Sequence, residues 1–196
     1  MKLYNYDVVI VGGGPGGLAA AQGAREAGAD RVLVLERDAQ VGGVLNQCLH
    51  DGFGLVHYRQ ALTGPEYAHR ARQEALAAGA ELLTVVTRQG LLTLSAGAVV
   101  LATGCRERTR GSLAIPGTRP AGIYTAGTAQ NLINTKNLLV GRRVLILGSG
   151  DIGLIMARRL TLEGAQVLAV VEQNPQPSGL ERNVSQCLYD FGIPRL

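Results

Sequence analysis

Two glycine clusters in this sequence have the spacing G-x-G-x-x-G, which suits the binding of a diphosphate. The first cluster consists of Gly12, Gly14 and Gly17. Gly12 permits a tight turn, Gly14 lets the backbone approach the diphosphate where a Cβ would collide with it, and Gly17 lets the next helix lie close to the sheet. That helix directs its unpaired N–H groups and the positive end of its dipole toward the same place.

The elements around this cluster are those that would position a dinucleotide. The apolar run Val8–Val11 predicts a strand buried on both faces. A helix is expected over residues 16–27 and should end at Gly28. The second strand, Val32–Leu35, leads into Glu36, whose carboxylate would accept hydrogen bonds from ribose hydroxyls.

The same pattern occurs a second time, since Val8–Arg37 aligns without a gap with Val144–Gln173. Its matching residues are Gly148, Gly150, Gly153 and Glu172. We expect strands over 144–147 and 167–171 and a helix over 152–163. Two complete units predict two dinucleotides, one that gives electrons and one that takes them. The alternative for either copy is a glycine-rich turn in an ordinary α/β domain.

The charge at the end of the second copy favours NADH over NADPH. The Glu172 carboxylate would repel a 2′-phosphate. Arg158 and Arg159 are the nearest basic pair, and at mid-helix we expect both to point to solvent.

Composition excludes several other classes of protein. The net charge of +4 is too small and too dispersed for a nucleic-acid surface, and 46% apolar residues with 27 glycines suit α/β layers. The first apolar stretch is too short for a signal peptide or a membrane span. Cys48, Cys105 and Cys187 have neither C-x-x-C nor metal spacing. These features predict a cytoplasmic protein with reduced thiols.

Two further segments carry a family resemblance: VGGVLNQCLHDGFGL after the first unit, and AGAVVLATGCRERTRGSLAIPGTRPAGIYTAGTAQNLIN. With them the chain resembles the FAD-dependent pyridine nucleotide-disulfide oxidoreductases, which are two-dinucleotide-binding flavoproteins. Within that superfamily it is most similar to flavoprotein subunits associated with glycerol-3-phosphate dehydrogenases. It is also similar to the subunits of opine, proline and sarcosine oxidising complexes and of cyanide-forming glycine oxidation.

The resemblance implies a fold and a set of cofactor residues. The fold is α/β with two Rossmann-like units, an FAD domain with an inserted NAD(P) domain, and three-layer parallel sheets. We expect an FAD domain over 1–110, a connector over 111–140 and a truncated NAD(P) domain over 141–196. The residues implied to bind FAD are Gly12, Gly14, Pro15 and Gly17 for the diphosphate, Glu36 and Arg37 for the ribose, Gly42 and Gly43 for the flavin side, and Thr103 and Gly104 where the chain leaves the domain.

The sequence departs from its relatives in three places. Disulfide reductases have a redox cysteine pair where this chain has only Cys48, so a dithiol mechanism is unsupported. The stretch Glu81–Ala98 is shorter than in relatives, and we expect residues to be missing near 87–89. The Gly-Asp motif that binds the flavin ribityl chain is absent, which implies a fragment of a longer protein.

The segments between the motifs predict further elements. They are a loop over 51–58, a helix that begins at Thr63–Glu66 and reaches Ala78, strands over Glu81–Val86 and Leu91–Ser95, a buried strand over Ala98–Ala102, a hinge over 111–120, and helices over 126–134 and 180–191.

The candidates for chemistry are few. Cys48 is either a flavin neighbour or, as we favour, a buried thiol without a redox role. His50 is either a proton carrier or, as we favour, a loop histidine bonded to the backbone. Cys105 is expected to be packed. The basic group Arg106, Arg108 and Arg110 either steers an anion or forms a solvated loop.

The sequence therefore predicts a flavoprotein that exchanges hydride between NAD(P)(H) and FAD and passes electrons to or from a substrate or partner subunit. Two alternatives stay open. One is a non-catalytic nucleotide-binding subunit of a hetero-oligomeric dehydrogenase. The other is a flavin-free NAD-dependent dehydrogenase.

Overall fold

The computed structural model describes residues 4–84 and 92–196, which form two compact units, Met1–Arg106 and Glu107–Leu196. In chain order the first unit contains β1 (Tyr4–Val11), α1 (Pro15–Glu26), β2 (Val32–Glu36), a 3-10 turn (Gly43–Gln47), α2 (Gly64–Ala77), β3 (Glu81–Thr84) and β4 (Leu94–Leu101). The second contains α3 (Ala126–Lys136), β5 (Arg143–Leu147), α4 (Asp151–Leu162), β6 (Gln166–Val171), α5 (Glu181–Val184) and a π-helical turn (Ser185–Tyr189).

The first unit is built on a parallel sheet with the order β3-β2-β1-β4. Val8 in β1 lies opposite Val32 on one side and Ala98 on the other. Because β1 has a partner on each side, the glycine loop at its carboxyl end lies where the ends of the neighbouring strands meet. Ligands of open parallel sheets bind at this edge.

Helix α1 matches its prediction because its ends are marked in the sequence. Pro15 fits the first turn, where its missing N–H is no loss, and Gly28 follows the helix with a φ of +95°. Leu18 and Ala21 are buried against a core that includes Ile10. The small alanine lets the helix pack closely on the sheet.

Helix α2 begins where the sequence predicted. The Thr63 side chain accepts a hydrogen bond from Glu66 N, and the Glu66 carboxylate accepts one from Thr63 N at 2.8 Å. This reciprocal capping box satisfies two backbone donors that a helix start otherwise leaves unpaired. Ala71 and Ala75 then pack into the same core as α1.

The predictions for β4 were partly wrong. One continuous strand, Leu94–Leu101, replaces the separate strands expected around residues 91–95 and 98–102. It is not buried on both faces, since Val99 is 60% and Leu101 75% exposed. Val100 points to the opposite face and packs against the core, so within the described residues one face of β4 is covered. Residues 85–91 lie outside the described residues, and with them the end of the predicted strand at Val86 and the gap expected near 87–89.

The second unit repeats the architecture of the first around its own core. Strands β5 and β6 are parallel, and α4 links them with Leu154 and Leu160 buried. After the π-helical turn the chain returns beside β6, where Leu196 N donates to Val170 O at 3.0 Å. The order strand, helix, strand, helix, extended segment is therefore present in both units, over more residues than the repeated sequence pattern covers.

The strand β5 is less buried than its sequence indicates. Val144 and Ile146 pack against the core, but Leu145 is 61% and Leu147 70% exposed. A run of apolar residues predicts burial on both faces, whereas within the described residues the helices cover one face of β5.

Helix α3 lies inside the predicted connector and belongs to the core of the second unit. The Thr125 hydroxyl caps it, and Ala129 and Ile133 are buried against α4. Arg159 joins the same two helices, since its Nε donates to Asn134 Oδ1 at 2.9 Å. The expectation that Arg159 points to solvent was therefore wrong, while Arg158 is exposed as expected.

In the part of the chain that is described, no helix has both the length and the apolar character needed to cross a bilayer.

The capping box gives a first testable prediction. Thr63→Ala removes the hydroxyl that caps α2 and should lower the free energy of unfolding by about 1 kcal/mol in a urea titration. Ser95→Ala is the control, because Ser95 is exposed and should change this energy by less than about 0.5 kcal/mol. Equal effects of the two substitutions would show that the cap contributes nothing.

Candidate dinucleotide sites

On one side of the first glycine loop, two glycines pack directly against other backbone atoms. Gly12 has a φ of +111°, and a Cβ there would strike Ala102 O. A Cβ on Gly17 would strike Gly12 O. These two positions let the loop, α1 and the end of β4 pack together, as the motif predicts.

On its other side the same loop faces open space. A Cβ on Gly14 or Gly16 would meet no protein atom within 4 Å. Helix α1 has no acidic residue in its first turn, so its N–H groups and dipole present a positive potential to this space. The space and the charge both fit a diphosphate.

Glu36 ties the glycine loop to the end of β2. Its side chain is buried, and Oε2 accepts from Gly13 N at 2.9 Å while Oε1 accepts from Asp38 N at 2.9 Å. Arg37 is exposed beside Asp38. The carboxylate therefore fixes the loop from the place where it would also meet a ribose. Its contact with ribose, and the part of Arg37 in cofactor binding, remain predictions.

The Gly42–Gly43 pair lies directly against the glycine loop. Gly42 N donates to Gly13 O at 2.7 Å, and a Cβ on Gly43 would lie 3.1 Å from Gly14 Cα. Both glycines have positive φ values, +122° and +56°. Two segments that the family resemblance assigned to one cofactor are thus in contact.

Cys48 and His50 follow this pair. The Cys48 thiol is buried and donates to Val44 O at 3.3 Å, and burial raises its pKa, so the thiol stays protonated at neutral pH. His50 Nδ1 lies 3.2 Å from Asp51 O, and its ring lies 5.1 Å from that of Phe53.

The residues that follow β4 are exposed. Thr103 and Gly104 lie at the surface, and so does Cys105, which the sequence predicted to be packed. Gly104 has a φ of +72°, and the segment that follows it is exposed as far as Thr109.

The three arginines of this segment divide into two kinds. Arg106 and Arg108 are exposed. Arg110 is half-buried and donates to several backbone carbonyls of its own loop, among them Gly117 O at 3.0 Å and Thr118 O at 2.8 Å. Arg110 thus shapes the loop over which a hinge was predicted.

The second glycine loop has the same construction. Gly148 has a φ of +98°, and a Cβ on Gly153 would lie 2.7 Å from Gly148 O. Gly150 faces open space, with Ser178 Oγ 4.0 Å from the position of its Cβ. The backbone approach that a diphosphate needs is therefore available here as well.

Glu172 binds this loop as Glu36 binds the first. Its carboxylate accepts from Ser149 N at 3.1 Å, from the Ser149 hydroxyl and from Asn174 N at 3.1 Å. These hydrogen bonds, with that of the Ser149 hydroxyl the strongest, lower the pKa of Glu172 to about 2. Glu172 is therefore ionised at neutral pH.

Residues 178–183 lie over the second glycine loop. The sequence analysis did not predict this contact. Gly179 N donates to Ser149 O at 2.9 Å, and the Asp151 carboxylate accepts from Leu180 N at 2.7 Å and from Asn183 Nδ2 at 2.8 Å. The sequence feature that could have predicted it is a glycine that follows the acid in each unit, Gly42 in the first and Gly179 in the second. Among residues 4–84 and 92–196 there is no cluster of metal-ligating side chains.

The pKa of Glu172 predicts a pH effect on stability. Because its folded pKa is about 2, against 4.5 for an ordinary glutamate, its ionised form stabilises the fold fully above pH 4.5 and progressively less as the pH falls toward 2. Glu172→Gln should lower the melting temperature at pH 7, and its difference from the parent should shrink toward pH 2. Glu181→Gln, at an exposed position, is the control. If the melting temperatures of Glu172→Gln and the parent differ by the same amount at all pH values, the lowered pKa of Glu172 is refuted.

Comparison with known proteins finds similarity to subunits of two oxidases. It is 26% identical over 193 residues to a subunit of opine oxidase from Agrobacterium tumefaciens (strain Ach5), a match that covers 88% of this chain and 38% of that protein. It is 28% identical over 190 residues to the alpha subunit of sarcosine oxidase from Corynebacterium sp. (strain P-1), covering 85% and 19%. The chain thus spans well under half the length of these relatives.

A solved structure has the same fold over nearly the whole chain. Thioredoxin reductase of Lactococcus lactis superposes with a TM-score of 0.70 at 22% identity, over 97% of this chain and 64% of the other. The sequence model of the family described as pyridine nucleotide-disulphide oxidoreductase matches residues 6–191, so the match includes both glycine loops. The chain belongs to the pyridine nucleotide-disulphide oxidoreductase family.

Proposed function

We propose that this chain is the nucleotide-binding part of an FAD-dependent oxidoreductase that exchanges hydride between NAD(H) and bound flavin in the cytoplasm. The observation that carries the proposal is the pair of open glycine loops, each with a helix N-terminus above it and a buried or half-buried carboxylate beside it. One loop alone would suit many nucleotide-binding proteins. Two suit a protein that brings two dinucleotides together.

The first loop is assigned to FAD and the second to NAD. Gly12, Gly14 and Gly17 would hold the FAD diphosphate at the start of α1, and Gly42–Gly43 would border the rest of the cofactor. The flavin supplies the hydride chemistry when it is bound, and the protein supplies position and electrostatics.

The charge of Glu172 supports NADH rather than NADPH. The carboxylate is ionised at neutral pH because its pKa is about 2. A 2′-phosphate on the adenosine ribose would lie beside this charge and be repelled. Ser149 and Asn174 supply the hydrogen bonds that keep the charge in place.

The electrons are proposed to leave without a dithiol relay. Cys48 is buried and protonated, and the sequence has no second cysteine near it. A partner subunit or a small-molecule substrate would then exchange electrons with the flavin. The opine and sarcosine oxidase relatives are both named as subunits, which supports a partner.

The proposal is tested by the colour of the protein. The full-length protein, purified and mixed with NADH under anaerobic conditions, should lose its flavin absorbance at a rate that is lower with NADPH. The alternative of a non-catalytic subunit predicts bound flavin that NADH bleaches only when a partner is added. If the protein is colourless and takes up no FAD, the proposal is refuted.

Two glycine substitutions test the assignment of each loop. Gly14→Ala and Gly150→Ala add a methyl where no protein atom lies closer than about 4 Å, and both backbones have ordinary φ values of −71° and −66°. Folding should therefore persist. Gly14→Ala should weaken FAD binding and Gly150→Ala NADH binding, each by at least about tenfold, or roughly 1.4 kcal/mol.

The control for these variants is Gly23→Ala, which adds a methyl on an open side of α1 away from the loops. It should leave both affinities unchanged and slightly stabilise the helix. Retention of both cofactors by Gly14→Ala and Gly150→Ala, measured by fluorescence titration, would contradict the assignments.

A further inference from the structure

The two loops differ in how many protein groups hydrogen-bond to the acid beside them. Glu36 and Glu172 occupy matching positions in the aligned units. At the neighbouring matched positions Gly13 corresponds to Ser149, and Asp38 to Asn174. Both changes replace a residue that gives only its backbone N–H with one that can also donate from its side chain.

Glu36 keeps acceptor capacity for a ligand. Among the described residues its donors are Gly13 N on Oε2 and Asp38 N on Oε1, each at 2.9 Å. An ionised carboxylate has about four acceptor positions. Roughly two acceptor positions therefore have no protein donor among the described residues, on a side chain that is 6% exposed.

Glu172 has its acceptor positions filled. Oε2 accepts from Ser149 N at 3.1 Å, from the Ser149 hydroxyl and from the Ser178 hydroxyl at 3.4 Å. Oε1 accepts from Asn174 N at 3.1 Å and from Asn174 Nδ2 at 3.2 Å. These donors fill the roughly four acceptor positions of a carboxylate. A ribose hydroxyl must displace one of them to reach the carboxylate.

The packing around each loop explains why the serine hydroxyl occurs only in the second. A Cβ on Gly13 would lie 2.7 Å from Val41 Cγ1, so the first loop has no room for a side chain there. In the second unit Ser178 precedes Gly179 as Val41 precedes Gly42. Ser178 N donates to Ser149 Oγ at 3.0 Å, so the Ser149 hydroxyl keeps its own proton for Glu172.

We propose that the Ser149 hydroxyl and the Asn174 amide compete with the adenosine ribose for Glu172, so that the second loop binds its dinucleotide weakly enough to exchange. This inference rests on the proposed use of the second loop for NAD. The first loop, where Glu36 has no such competitors among the described residues, retains its dinucleotide. Ser149 and Asn174 thus determine how long the nucleotide stays bound and not which reaction it undergoes.

The test measures ADP binding to the full-length protein saturated with FAD, by isothermal titration calorimetry. Asn174→Ala removes an exposed amide and leaves its backbone donor. Ser149→Ala removes the buried hydroxyl. Each should tighten ADP binding by about threefold to tenfold, the value of one hydrogen bond. Exposed Gln176→Ala is the matched control and should change nothing.

Two further measurements separate competition from a general loosening of the site. The gain should be smaller for 2′-deoxy-ADP, which lacks one ribose hydroxyl. The double variant Ser149→Gly with Ser178→Val copies the packing of Gly13 and Val41, and it should also bind ADP more tightly if Ser149→Ala disturbs folding.

The results that would overturn this inference differ from those that would overturn the proposed function. Unchanged or weaker ADP binding by Asn174→Ala and the double variant overturns the inference, even when NADH reduces the flavin of the parent protein. An equal gain for ADP and 2′-deoxy-ADP also overturns it. ADP binding undetectable in the parent and in every variant overturns both this inference and the assignment of the second loop.

Discussion

The hydrogen bond between a carboxylate at the end of a strand and the backbone of a glycine loop is the interaction on which both units depend. Glu36 holds Gly13 N, and Glu172 holds Ser149 N. A glycine-rich loop has high conformational entropy when it is unfolded. Anchoring it to the neighbouring strand fixes the open side of the loop at the helix N-terminus, where a diphosphate is favoured. The proposed contact with a ribose would use the same carboxylate, so in each unit one group would serve both the loop and the ligand.

The two units share one architecture but differ in the groups around the acid. Packing decides the difference, because Val41 fills the space above Gly13 while Ser178 leaves room for the Ser149 side chain. The first turn of α4 also contains Asp151, which the first turn of α1 lacks. Its carboxylate is bound by Leu180 N and Asn183 Nδ2, so part of its charge is satisfied within the protein.

Much of the fold followed from local sequence. The glycine triplets, the proline and glycine at the ends of α1, and the capping box at Thr63 each act within a few residues, so their effect is visible in the sequence. Burial was less predictable. The apolar runs of β4 and β5 predicted two covered faces, yet Leu101 and Leu147 are largely exposed, since burial depends on which elements lie alongside a strand.

The residue pattern was enough to locate two glycine loops of the dinucleotide-binding type, the strands and helices around them, and the acid that follows each. The hydrogen-bond donors around those acids became visible only in the folded chain. The donors to Glu172 include Ser149, and the group that orients its hydroxyl comes from Ser178, far along the chain. Competition for the lone pairs of a carboxylate depends on distance and direction in space, and residue order does not specify either.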